Sequence, residues 1–190
     1  MDARVCSVAW VGDLVDSLLH STNPTLLIIC STRPKFVEQL SARLAPELSS
    51  EEGQKGHNTL LTKTIGVLAS SSRVHVVFCP SLEHYRAYLA SFTHHFRNTD
   101  KQIVVVDLLA LHYMSSEFSA QGLSRTLALT IEAAAPNIQL CECEDVVVLQ
   151  NPNRGHKLWD LRLPILTGLR PDNRVTARDV AQRWFRFDTT

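Results

Sequence analysis

The sequence predicts an α/β fold: a mostly parallel central sheet flanked by helices, ending in antiparallel C-terminal strands. Three observations carry this. Thr25 to Cys30, Val74 to Cys79 and Ile103 to Val106 are apolar stretches of strand length. Such stretches have no polar face to leave in water, as expected of strands buried in a parallel sheet. Stretches with helical spacing separate them. After Asp145 the predicted strands follow one another closely, which suits antiparallel pairing.

Taken in order, Val8, Val11, Leu14, Val15, Leu18 and Leu19 recur at helical spacing, so residues 1–24 read as an N-terminal helical segment. Pro34 suits the first turn of a helix reaching about Leu44. Residues 49–58 contain nothing apolar to bury and read as a loop. Thr59 to Ala69 leans to helix. Ser81 to Phe96 reads as a helix with a serine cap and Glu83 in its first turn. Ser115 or Ser116 caps a helix that stops before Pro136, with Leu123, Leu127, Ile131 and Ala134 as its buried stripe. Asp145 to Gln150, Lys157 to Leu163 and Gln182 to Phe187 read as the closing strands, and Asn151 to His156 as a polar loop.

At 190 residues the chain is long enough for one domain with a real core, so 1–190 is read as a single domain. Lysine plus arginine number 19 and aspartate plus glutamate 19, so any nucleic-acid contact must come from a local patch. No apolar run reaches the ~20 residues of a membrane helix. Met1 to His20 holds three aspartates and one arginine, unlike a secretory signal. Five cysteines, an odd number, fit reduced thiols inside the cell.

Asp107 closes the central apolar run, where the carboxyl end of a strand faces the ligand crevice of an open sheet. Two readings stand side by side: a metal- or water-holding carboxylate, or a cap for the following turn. A nucleotide-binding fold needs a glycine-rich turn after its first buried strand, because backbone amides must approach phosphate unobstructed. Here that position reads Cys30-Ser-Thr-Arg-Pro-Lys-Phe36, without glycine. ATP hydrolysis is therefore not expected, and no cofactor is. Cys141 and Cys143 lack two further ligands at zinc spacing, so no metal is expected. Cys30 and Cys79 read as buried thiols. His94, His95 and His112 read as solvated.

The order of parts resembles the RecA-type core of eukaryotic recombinase paralogues. The parts are Leu26 to Lys35 at the phosphate-loop position, Val74 to Leu89 as the next strand and helix, the Walker B-like strand Ile103 to Asp107, the helix from Ser119 to Ala128, a strand ending at Gln150-Asn151, and the closing Arg183-Trp-Phe-Arg-Phe187. With the phosphate loop missing, the chain is similar to the ATPase-dead members of that group, such as Shu-complex subunits that assist recombinase filament assembly. The resemblance implies a non-catalytic nuclear protein of homologous recombination. It also implies an obligate heteromeric partner of the RecA type and contact with single-stranded or forked DNA. RecA-like Elongator subunits that bind transfer RNA are the nearest alternative, and a cryptic ATPase or cysteine hydrolase the contrasting enzyme reading.

In that fold the loops after the later strands face DNA, which points to Arg154, His156 and Lys157, with Arg33 and Lys35 as further contacts. An ordinary solvated loop is the competing reading. Arg170, Arg174, Arg178, Arg183 and Arg186 form a second basic cluster, read more readily as arginine stems packed on aromatic rings. The apolar faces of the N-terminal segment and of the Gln121 helix predict a partner interface of ~1,600 Å² or more.

Overall fold

The computed structural model describes residues 2–6, 8–49, 60, 64–92, 101–134, 137–164 and 175–187. Six strands form one sheet: β1 (Asp2–Cys6), β2 (Thr25–Ile29), β3 (Val74–Phe78), β4 (Gln102–Val106), β5 (Asn137–Cys141) and β6 (Arg186–Phe187). Their order is β3-β2-β4-β5-β1-β6, and every pair of neighbours runs parallel. The helices are α1 (Val11–His20), α2 (Arg33–Ser49), α3 (Ile65–Ser71), α4 (Leu82–Phe92), α5 (Leu108–Tyr113), α6 (Ala120–Ala134) and α7 (Ala177–Ala181). A 3-10 turn covers His156–Asp160.

The two apolar runs at the centre behave as their composition dictates. Leu26 and Ile28 of β2 and Ile103 and Val105 of β4 pack on one side with Leu82, Tyr85 and Leu89 of α4 and Leu123 and Leu127 of α6. Leu27, Ile29, Val104 and Val106 face the other side, against Val11, Leu14 and Leu18 of α1 and Phe36 of α2. Both faces of β2 and β4 are thus covered, and all of Leu26 to Ile29 and Ile103 to Val106 are buried.

Several expectations need correction. The N-terminal segment is more than helical, because Asp2–Cys6 is an interior strand whose Ala3 and Val5 enter the core. Five residues of weak alternation were too short a signal. Val74–Phe78 lies at the sheet edge with His75 and Val76 exposed, so it is not a buried strand. The antiparallel closing strands are absent from the described residues: β6 is two residues long and parallel to β1, and the one antiparallel contact is the bridge between Arg162 and Thr176. Asp145 to Gln150 is no strand. The Asp145 carboxylate accepts the amides of Val147 and Val148 and folds the chain into a tight turn. Of Lys157 to Leu163, the part up to Asp160 winds instead into the 3-10 turn, burying Leu158 and Trp159 side by side as an alternating strand would not, and only Arg162 makes a bridge.

The remaining differences are smaller. Ser119, accepting the Gly122 amide, caps α6 in place of Ser115 or Ser116. The elements β5, α5 and α7 were not anticipated. Of residues 49–58, Ser49 ends α2 and the rest lie outside the described residues, as do His94, His95, Arg170 and Arg174. Among the described residues no helix is long and apolar enough to cross a membrane.

Candidate functional site: a crevice between β2 and β4

Strand order fixes where a ligand crevice can form. From β2 the chain passes outward to β3, whereas from β4 it passes the opposite way to β5. Right-handed crossovers then place α2 and α6 on opposite faces, so the loops leaving β2 and β4 diverge. Such a switch point is where open α/β sheets bind ligands. A cavity of about 260 Å³ lies there, lined among others by Cys30, Ser31, Thr32, Lys35, Asp107 and Arg154.

Asp107 is the buried acid at its base. It is one of the few non-glycine residues with positive φ, at 61°. That geometry costs an ordinary residue ~1–3 kcal/mol, and aspartate tolerates it better than most. Although Asp107 occupies the N-cap position of α5, its side chain makes no cap hydrogen bond. Its Oδ1 accepts the Cys143 amide at 3.1 Å, and its Oδ2 accepts Nη2 of Arg154. The turn-cap reading is therefore wrong for the side chain.

Glu142 supplies the cap instead. Its carboxyl oxygens accept the amides of Leu109 at 2.6 Å and Ala110 at 3.2 Å. Burial, reinforced by the neighbouring Asp107 charge, pushes the Glu142 carboxyl up to about 8. Burial also pushes Asp107 up, while the Arg154 guanidinium and the Cys143 amide pull the other way. Asp107 holds the guanidinium, so of the two carboxyls it is Glu142 that keeps its proton at neutral pH.

The loop that delivers Arg154 is tightly pinned. Gln39 of α2 donates to Asp145 at 2.6 Å and accepts the Val146 amide at 2.7 Å, and Asn151 donates to the other oxygen of Asp145. Burial works against the Asp145 carboxylate, but hydrogen bonds from Val148, Asn151 and Gln39 more than offset it and hold its pKa low. Gly155 follows Arg154 at φ 80°, and a Cβ there would lie 2.2 Å from Oε1 of Glu144. This position requires glycine.

The residues expected to meet DNA divide into two groups. Arg33 and Lys35 are exposed at the start of α2, Lys157 is exposed on the 3-10 turn, and His156 is half-buried. Arg154, by contrast, points inward and is buried on Asp107 rather than standing on the outside of its loop. In the C-terminal cluster, the Arg178 guanidinium lies 4.6 Å from the centre of the Phe187 ring and donates to Asp160, so the packed-arginine reading holds for Arg178, whereas Arg183 and Arg186 are exposed. His112 is not solvated. It is buried, it meets Thr126 at 2.9 Å, and burial lowers its pKa to about 4. The cysteines at the strand ends, Cys30 and Cys79, are buried, and burial raises both thiols.

A family model described as SPAC22G7.03-like matches residues 4–150, from β1 through β5 and the turn beyond it. The chain belongs to the SPAC22G7.03-like family. The SPAC22G7.03-like match includes Asp107 and Glu142 and stops before Arg154. No curated protein matches the chain.

Proposed function

We propose that the chain is a non-catalytic subunit of a recombinase-paralogue, Shu-like complex, working in the nucleus with a RecA-like partner and binding single-stranded or forked DNA during homologous recombination. The observation that carries the non-catalytic part is the buried pair of Asp107 and Arg154. A carboxylate at the end of a central strand serves phosphoryl transfer by holding a cation that bridges the phosphates. Here a guanidinium occupies that role permanently, and the preceding turn offers no glycine-lined cradle.

The DNA part is supported by the exposed cations Arg33, Lys35 and Lys157. Arg33 and Lys35 sit at the start of α2, just past the carboxyl end of β2, and Lys35 lines the crevice. Partner binding is supported by exposed apolar side chains at the β3 edge: Val76 is 46 % exposed, and Ile65 and Leu68 of the adjoining α3 are 86 % and 67 % exposed. Single exposed apolar residues are ordinary, but a whole helix with no buried residue leading into an edge strand is not.

The test is affinity purification of the full chain from its native cell, followed by binding of the recovered complex to single-stranded DNA, forked DNA and transfer RNA. A RecA-like partner and a preference for DNA, weakened with a shallower salt dependence by Lys35→Glu with Lys157→Glu, is the expected result. Recovery without a RecA-like chain overturns the reading. A preference for transfer RNA transfers the chain to the Elongator-like alternative.

A further inference from the structure

We infer that the crevice between β2 and β4 is a binding site for a single phosphate monoester group, gripped by the side chains of Lys35, Arg154, Ser31 and Thr32 without a metal. This goes beyond the DNA-complex reading and stands or falls separately from it.

The charges lining the cavity make it cationic. Lys35 and Arg154 contribute two positive charges against the single carboxylate of Asp107. Glu142, behind Asp107, is protonated at neutral pH. The Asp145 carboxylate is taken up by donors from Gln39, Val147, Val148 and Asn151. One positive charge is left over, that of Lys35 at the mouth of the crevice, and it is available to an anion.

The start of α2 points the same way. A helix N-terminus favours acidic side chains, yet the first turn of this 17-residue helix has none and carries Arg33 and Lys35 instead. That arrangement disfavours the free helix and favours one with an anion at its end. A second, independent observation comes from Arg154. It is 5 % exposed and lines the cavity, and among the described residues only Nη2 of its guanidinium has a hydrogen-bond partner, Asp107. Buried guanidinium donors normally find acceptors, and a phosphate oxygen is the acceptor that matches an arginine fork.

At about 260 Å³ the crevice has ample room for one phosphate with a short carbon stub. Two sources share this chemistry: a small phosphate monoester, or the terminal phosphate of a nucleic-acid strand.

Inorganic phosphate titrated into the full chain by calorimetry, at constant ionic strength against a chloride control, tests the site. Saturable millimolar or tighter binding is expected. It should weaken by about tenfold or more in Lys35→Ala, the usual worth of a charged hydrogen bond. Lys35→Arg should retain it, and Arg125→Ala, an exposed arginine on α6, should leave it unchanged. Lys35 is exposed, so its variants fold. A single-stranded oligonucleotide with a 5′-phosphate is then compared with its 5′-hydroxyl counterpart. Tighter binding of the phosphorylated strand, lost in Lys35→Ala, identifies a strand end as the source, while phosphate binding with no such difference identifies a small monoester. Absence of saturable phosphate binding, or binding indifferent to Lys35→Ala, overturns the inference.

Discussion

Arg154 crosses from the loop beyond β5 to the end of β4 and donates through Nη2 to Oδ2 of Asp107, both side chains being more than nine-tenths buried. A buried ion pair adds little over an apolar pair of the same shape, but removing one partner strands a charge away from water. Arg154→Met should therefore destabilise the chain by ~3–5 kcal/mol in urea unfolding. The double variant Asp107→Asn with Arg154→Met should cost clearly less than the sum of the two single changes. Simple additivity would mean that the two side chains do not act as a pair.

Stability should fall as pH rises above neutral. The Glu142 carboxyl, at 4.5 in an ordinary setting, sits at about 8 in the fold, so the folded chain holds a proton that the unfolded chain gives up. That contribution is complete below pH 4.5 and is lost as pH climbs through 8. His112 acts oppositely at lower pH: its pKa falls from 6.5 to about 4, so its burial becomes less costly as pH rises across that interval. Between about pH 6.5 and 8 the downward slope is that of Glu142, at most ~1.4 kcal/mol per pH unit. Above that, buried thiols such as Cys30 and Cys79, whose pKa values burial raises, add to it. Urea unfolding between about pH 6.5 and 8 should show the decline, and Glu142→Gln should flatten it. An equal slope in both proteins would locate the titration elsewhere.

Much of the framework was legible. The runs Thr25 to Cys30 and Ile103 to Val106 are apolar on both faces, a pattern that only a doubly covered strand explains, and they are the two strands flanking the crevice. Asp107, at the end of the second run, was legible as either the acid of that crevice or a turn cap, and the sequence did not choose between them. What could not be read is the partner of Asp107. Arg154 looked like a loop cation because its neighbours Asn151, Pro152, Asn153, Gly155 and His156 are all loop formers. Its burial depends on Asp145 and Gln39, the latter more than a hundred residues away in sequence, which no local pattern encodes. Glu142 carried a faint signal, a carboxylate between two cysteines right after the alternating Ile138-Gln-Leu-Cys141, but its role as the cap of α5 is a tertiary fact. The C-terminal strands were misread because Leu158 and Trp159, though strand formers, are placed by a glycine with positive φ.

That glycine yields a further expectation. At Gly155, φ is 80° and ψ −168°, a region closed to side-chain-bearing residues, and an added Cβ meets Glu144. Gly155→Ala should cost ~1–3 kcal/mol and loosen the seat of Arg154 on Asp107. Thermal unfolding of Gly155→Ala in the wild-type and Arg154→Met backgrounds checks both parts: the loss should be smaller where Arg154 is already gone. Equal losses would show that the turn does not position the guanidinium.

The claim on which the functional account rests is that the Asp107 carboxylate, held by Arg154, is closed to a metal-bound nucleotide. Calorimetric titration of the full chain with ATP and magnesium, run alongside a phosphate-release assay, tests it most directly. The account predicts no saturable magnesium-dependent binding and no turnover. Saturable binding with hydrolysis, both abolished by Asp107→Asn, would contradict it.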